Sequence, residues 1–245
     1  MNPLFFLFFC LVFLVGCNRL FTTARVQYTN YRMYNLRVDS SVYKWLQPYR
    51  DSVEGAMHSY VVTLANDLEK QQPEGTLGNM MADALFEMAA IKFGKHPDAA
   101  FMNNGGIRLP VLKAGTITVG TIYELFPFDN VLVLVTVPGT VLQQFLDHIA
   151  ARGGWPVAGI TMQIYKGKAV EVQIGGKPIN AQQSYTIAVG DYTANGGDDA
   201  AMLIGMPQQS RGYLIRDAII DFLKEQAKKG RPLTYMPEKR VQYVQ

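Results

Sequence analysis

Apolar positions fall into blocks whose spacing changes along the chain, and each change of period predicts a change of element. From Ser40, the residues Val42, Trp45, Leu46, Tyr49 and Val53 recur at helical spacing and predict a short helix, with Pro48 a point at which it could kink. Tyr60–Leu64 reads as a strand and Glu69–Gly75 as a polar loop. Thr76 is placed to N-cap a helix running to about Phe93. Leu77, Met80, Met81, Ala84, Leu85, Met88 and Ala89 form its apolar face, and Gly94 is placed to stop it. Ala99–Met102 is a brief apolar strand. Val131–Val137 is a near-continuous Val/Leu run, the pattern of a strand covered on both faces.

After Pro138 and Gly139, a second amphipathic helix carries Val141, Leu142, Phe145, Leu146 and Ile149 and closes at Gly153 and Gly154. Ile160–Tyr165 and Ala169–Ile174 flank Lys166, Gly167 and Lys168, which predicts a hairpin. Tyr185–Val189 is a further strand, and a last helix is expected from about Tyr213 to Lys228. Helices and strands mix without strict βαβ alternation, repeats or low-complexity tracts. The expectation is an α+β domain of mixed or antiparallel sheets packed with helices.

Composition adds bounds. The 245 residues are 49% hydrophobic and 18% charged, which suits one domain of about 200 residues and a leader. The net charge is +3 with both signs interspersed, so no basic stripe exists to neutralise a run of phosphates, and no nucleic-acid partner is expected. Leu4–Val15 is almost wholly apolar but shorter than the roughly 20 residues a membrane span needs, and it reads as a signal-peptide core.

Leu14, Val15, Gly16 and Cys17 resemble the bacterial lipobox, which would make Cys17 the lipidated first residue of the mature chain. A plain secretory signal or a short uncleaved anchor are the alternatives, and the opening residues lack the usual Lys or Arg. With Cys10 removed, the mature chain would have no internal disulfide, CxxC pair or zinc-thiolate site. The expected organisation is a signal peptide over 1–16, a tether and extended segment over 17–38, and a domain over 39–245. Asn18 after the cysteine favours an outer-membrane or periplasm-facing place in a bacterial cell envelope.

Two glycine-containing loops, Asn103–Arg108 and Asp191–Asp199, each directly follow a predicted strand. Their glycines, Gly105 and Gly106 in one and Gly196 and Gly197 in the other, permit sharp turns and close approach of a ligand. Asn103, Arg108, Asn195 and Asp198 supply directional polar groups. Asn-Gly-Gly is equally an ordinary turn sequence. Together the loops offer complementary chemistry: Arg108 for bidentate pairing with phosphate, Asn103 for ribose or phosphate, and Asp198 as acceptor from ribose hydroxyls. Phe128, in Phe126-Pro127-Phe128-Asp129, and Tyr192 lie in loops rather than on a core stripe. A nucleobase between them would gain about 1–3 kcal/mol by stacking. The alternative is that both rings cap the core.

Leu77-Gly78-Asn79 with Ala82-Asp83, Asn103–Arg108, Leu125–Phe128, Val135–Gly139 and Asn195-Gly196-Gly197-Asp198 occur in the order seen in the C-terminal domain of the 5′-nucleotidase family, which residues 40–225 resemble. In that family this domain clasps the nucleoside while a separate calcineurin-like domain holds two metal ions and attacks the phosphate. The resemblance implies that Phe128 and Tyr192 are the stacking pair, with Tyr192 where the family often has Phe. It implies that Asn103 and Arg108 contact the phosphate or ribose side, and that Asp198 accepts from the ribose. A further family arginine falls where this chain has Gln72, Pro73 and Glu74, which by the resemblance weakens the case for phosphate and favours a nucleoside or other ligand.

A two-metal phosphoesterase needs His and carboxylate ligands converging on ions about 3.5–4 Å apart. The chain has three histidines, His58, His96 and His148, and no Asp-x-His, Gly-Asn-His or Gly-His-x-His element. Gly-x-Ser-x-Gly is also missing. Two functions follow from the resemblance. In one, the chain is the substrate-binding part of a nucleotide-hydrolysing pair, inactive alone and completed by a metallophosphoesterase chain with two divalent metals. In the other, it is a free-standing nucleoside- or nucleotide-binding lipoprotein. A third reading retains the domain only for contacts.

Overall fold

In the computed structural model residues 40–244 are described; the signal-peptide run, Cys17 and the tether over 17–38 lie outside them. In chain order the elements are α1 (Ser40–Met57), β1 (Tyr60–Leu64), β2 (Leu68–Glu69), α2 (Thr76–Phe93), β3 (Ala99–Phe101), β4 (Val111–Leu112) and β5 (Gly115–Thr118). Then come α3 (Val119–Leu125), β6 (Val131–Pro138), α4 (Gly139–Ala151), β7 (Val157–Ala158), β8 (Ile160–Tyr165), β9 (Lys168–Ile174) and β10 (Lys177–Pro178). The chain ends with β11 (Ser184–Gly190), a short α5 (Asp191–Ala194), β12 (Gln208–Leu214), α6 (Ile215–Ala227) and β13 (Val241–Tyr243). From Leu46 onward these form one compact unit.

Its centre is a five-stranded sheet of order β12-β6-β11-β3-β7. The Val/Leu run lies inside it because strand side chains alternate between faces and here both faces are covered. Leu132 and Leu134 enter one core with α2 and α6, alongside Leu85, Ile219 and Phe222. Val133, Val135 and Val137 enter the other, with Phe145 and Ile149 of α4 and Met162 and Val172 of the second sheet. That second sheet, β10-β9-β8-β13, is built on the expected hairpin, whose turn residues Lys166 and Gly167 both have positive φ, as a two-residue hairpin requires. The architecture is α+β with mixed and antiparallel pairing: β6 runs antiparallel to β11 and β12, while β3 runs parallel to β11.

Several boundaries differ from expectation. Gly75, not Thr76, holds the cap position of α2, and the Thr76 hydroxyl instead accepts from the Glu69 amide at 2.9 Å. The last helix starts at Ile215 because Tyr213 and Leu214 are drawn into β12, where Leu214 pairs with Val131. Pro48 lies within a helix that continues to Met57, and Leu46, Tyr49 and Val53 are exposed rather than facing a core. The C-terminal strand is fastened by Arg240, whose two guanidinium nitrogens meet the two Asp83 carboxylate oxygens at 2.7 and 2.9 Å. Tyr235 adds a hydrogen bond to the same carboxylate at 3.1 Å.

Candidate functional site

Strand direction decides which loops meet. Since β3, β11 and β12 point one way and β6 the other, the loops leaving β3, β11 and β12 and the loop entering β6 share one end of the sheet. That end therefore collects Asn103–Arg108, Asp191–Asp199, the Phe126–Asn130 turn and the first turn of α6. Asn103, Gly105, Gly106, Arg108, Phe128, Asn130, Tyr192 and Asp198 line a cleft of about 410 Å³ there. This lies in the range of small-molecule sites, roughly 300–1,000 Å³.

Each lining residue has a local cause. Thr118 caps α3 through a reciprocal box with Thr121, and after that helix the Phe126 amide still reaches Ile122 before the chain turns out. Phe126 is buried, while Phe128, 5.5 Å away edge-on, is 37% exposed. Tyr192 is 49% exposed. Both cleft rings are thus partly open to solvent, with Phe128 resting against the core through Phe126. The Arg108 guanidinium lies 5.6 Å from the Phe128 ring centre, and its backbone amide is tied to Leu125 at 2.9 Å. Beside it, Lys70 donates to the Ile107 carbonyl at 2.9 Å. Partial burial, and then the Arg108 charge, hold the Lys70 ammonium below the usual lysine range.

Asp198 joins the two glycine loops. Its Oδ2 accepts from Asn103 Nδ2 at 2.9 Å and its Oδ1 from the Tyr192 hydroxyl at 3.3 Å. Each carboxylate oxygen keeps acceptor capacity after those bonds, so the group can still take hydrogen bonds from a ligand. Gly106 is required beneath Asn103, since a Cβ there would lie 2.7 Å from Asn103 Oδ1 and 2.9 Å from the Phe126 ring. In the other loop a Cβ on Gly197 would fall 2.5 Å from the Tyr192 ring, so the ring could keep its place only with glycine there.

Of the residues expected from sequence, Asn103, Gly105, Gly106, Arg108, Phe128, Tyr192 and Asp198 come together around the cleft. Asn195, Gly196 and Gly197 do not line it; Asn195 turns back to the Asp191 carbonyl at 2.8 Å, and Gly196 and Gly197 shape the loop. Asn130 lines the cleft and was missed, although its place between the aromatic turn and β6 was a usable signal. Also missed were Asp191, whose Oδ1 accepts from Asn130 Nδ2, the Val131 amide and the Tyr192 amide at 3.1, 3.0 and 2.8 Å, and Arg216, which grips the Phe128 turn from below. Gln72, one of the three residues at which the resemblance implies an arginine, is spent on the carbonyls of Arg152 and Gly154 at 2.9 and 2.7 Å. Among the described residues, no three His, Cys, Asp or Glu side chains gather where they could hold a metal ion.

An α+β domain with a ligand-sized cleft at the end of its central sheet is the class these features define. The model of the 5′-nucleotidase C-terminal domain matches residues 57–204, and the chain belongs to that family. A 5′-nucleotidase of Vibrio vulnificus is 26% identical over 201 residues, which are 78% of this chain and 35% of the relative. Endonuclease YhcR of Bacillus subtilis is 29% identical over 218 residues, 84% of this chain and 17% of its own length. Among solved structures, a 5′-nucleotidase precursor from Thermus thermophilus matches with a TM-score of 0.71 at 24% identity, covering 84% of this chain and 43% of that one. The NAD nucleotidase of Haemophilus influenzae matches with a TM-score of 0.65 at 17% identity, covering 84% and 42%. At these identities the structural matches speak for the fold alone. The chain spans less than half the length of each of these relatives.

Proposed function

We propose that this chain supplies nucleotide or nucleoside recognition in nucleotide catabolism, and that a metallophosphoesterase on a separate polypeptide, with two divalent metals, supplies hydrolysis. One observation carries the reading: two exposed aromatic rings, a carboxylate and an arginine line one cleft of about 410 Å³. A base stacks on Phe128 and Tyr192, the ribose hydroxyls donate to Asp198, and Arg108 with Asn103 takes the phosphate side. The scarcity of histidines in the sequence supports placing the metals on the partner.

The test is calorimetry of the full chain against AMP, adenosine and inorganic phosphate. Binding should weaken by about tenfold or more in Phe128→Ala and Asp198→Ala, as loss of about 1.4 kcal/mol would give. Unchanged affinity in both variants would refute the site. Mixing with the metallophosphoesterase should release phosphate only when both chains and a divalent metal are present.

A second reading, nucleoside binding without catalysis, is favoured by the commitment of Gln72 to backbone carbonyls and of Glu74 to Asn79 at 2.6 Å, which leaves the phosphate end with Arg108 and Asn103. Adenosine binding as tightly as AMP would support it. For the leader, we propose cleavage before Cys17, lipidation of that cysteine and residence in the cell envelope of a bacterium. Metabolic labelling with a radioactive fatty acid should mark the protein and fail in Cys17→Ser.

A further inference from the structure

Asp198 is held in an unfavourable backbone conformation. Its φ is 51° and that of Asp199 is 58°, both in the left-handed region that most residues with a Cβ avoid, although Asp enters it more readily than most. Two such residues in succession persist only where the surroundings over-determine them. The Asp198 carboxylate bonds to Asn103 across the cleft and to Tyr192 within the loop, and the Asp198 amide donates to the Tyr192 hydroxyl at 3.2 Å, but none of these bonds grips the main-chain carbonyl or Asp199.

That grip comes from α4. His148 Nε2 lies 2.8 Å from the Asp198 carbonyl oxygen, and His148 Nδ1 lies 3.0 Å from Arg152 Nη1. A guanidinium only donates, so Nδ1 is the acceptor; the imidazole proton is then on Nε2, which donates to Asp198. Arg152 Nη2 continues to the Asp199 carboxylate at 2.6 Å. Edge-on packing against Trp155 at 6.3 Å fixes the ring itself. His148 in the last turn of α4 thus holds one residue by its carbonyl, and Arg152 just past the helix holds the next by its side chain, leaving the Asp198 carboxylate directed at the cleft.

We propose that His148 is a positioning residue for this cleft, setting through the Asp198 carbonyl the orientation in which the Asp198 carboxylate receives a ligand's hydroxyl groups. The nature of that ligand rests on the nucleoside reading above; the clamp rests on the loop geometry.

Two variants separate the role from simple packing. His148→Phe keeps a ring against Trp155 but cannot donate, whereas His148→Gln retains an amide that can donate to the carbonyl and accept from Arg152. Without ligand, amide hydrogen exchange over residues 195–200 should quicken about tenfold in His148→Phe with α4 unchanged, since local opening is what such exchange reads. Adenosine affinity by calorimetry should fall about tenfold, and His148→Gln should restore both to within about threefold. If His148→Phe does not fold, Arg152→Met removes, from a half-exposed position, the donor that holds His148 Nδ1 as an acceptor; exchange should quicken in the same direction but by less, because the ion pair to Asp199 is solvent-screened. Parent-like exchange in these variants, or a Gln variant as impaired as the Phe one, overturns the proposal. A parent protein that binds no adenosine overturns the nucleoside reading, while the exchange measurement still decides the clamp.

Discussion

Arg216 donates from Nη1 to the carbonyl oxygen of Phe128 at 3.3 Å, which joins the first turn of α6 to the turn that presents an aromatic ring to the cleft. Arg216 Nη2 reaches Asp129 at 2.8 Å, and the guanidinium lies 4.0 Å from the Tyr123 ring centre. The Arg216 side chain is only 8% exposed whereas that of Asp129 is 81% exposed, so the ion pair itself is solvent-screened. The stacked, carbonyl-bonded guanidinium is the part that matters. Replacing Arg216 by Met keeps the buried stem and removes the fork. It should cost about 1.5–3 kcal/mol in urea unfolding, the value of a hydrogen bond to a charged group. Nucleoside affinity should fall as the Phe128 turn loosens. A variant as stable as the parent would show that the turn holds itself.

Asp191 couples the two sides of the cleft. One carboxylate oxygen accepts from Asn130, Val131 and Tyr192, so the aromatic turn and the aromatic of the second loop share a single anchor. Asp191→Asn preserves the acceptor oxygen and should lose about 1 kcal/mol or less, whereas Asp191→Ala strands three donors and should lose about 2–4 kcal/mol. Chemical denaturation of the two variants side by side checks the ordering. Equal losses would mean that charge, not the acceptor, is what the site requires.

These anchors also show what the sequence could and could not reveal. The Val131–Val137 run announced a doubly covered strand because its apolar residues are consecutive, and the glycine loops announced themselves through residue type. Arg216 and Asp129 are 87 positions apart, Asp191 and Asn130 are 61, and such pairs leave no local period to read. The strand Gln208–Leu214 stayed hidden for a different reason: it is an edge strand held by its ladder to β6, and five of its seven residues are exposed. Without an apolar alternation to mark it, Tyr213 was absorbed into the helix that follows. His148 likewise looked like a scattered histidine until α4 was folded onto the Asp198 loop.

Asp83 and Arg240 lie outside the cleft, and they separate stability from binding. The Arg240 side chain is 11% exposed and that of Asp83 21%, so Asp83→Ala leaves a largely buried guanidinium with Glu238 as its one carboxylate partner among the described residues. Breaking one partner of a buried pair costs about 3–5 kcal/mol, and the remaining Glu238 contact places this case near the lower figure. Urea unfolding should show that loss while adenosine affinity, measured well below the midpoint, stays at the parent value. A loss of affinity equal to that of Asp198→Ala would mean that the β13 fastening reaches the cleft.

Asn103 and Asp198 meet across the two glycine loops at 2.9 Å, and their bond can act in either of two ways. If each residue only contacts ligand, removing both should cost the sum of the single losses. If their bond shapes the cleft, the first removal already releases the second, and the double variant Asn103→Ala with Asp198→Ala should lose less than the sum. The second outcome is expected, with a coupling of about 0.5–3 kcal/mol, the range for residues in direct contact. Tyr192 still holds Asp198 Oδ1 when Asn103 is removed, which argues for the lower part of that range. Repeating the cycle in Tyr192→Phe should therefore enlarge the coupling, because Asn103 is then the remaining cleft side chain that orients the carboxylate. Strict additivity in both backgrounds would show that the loops reach ligand independently.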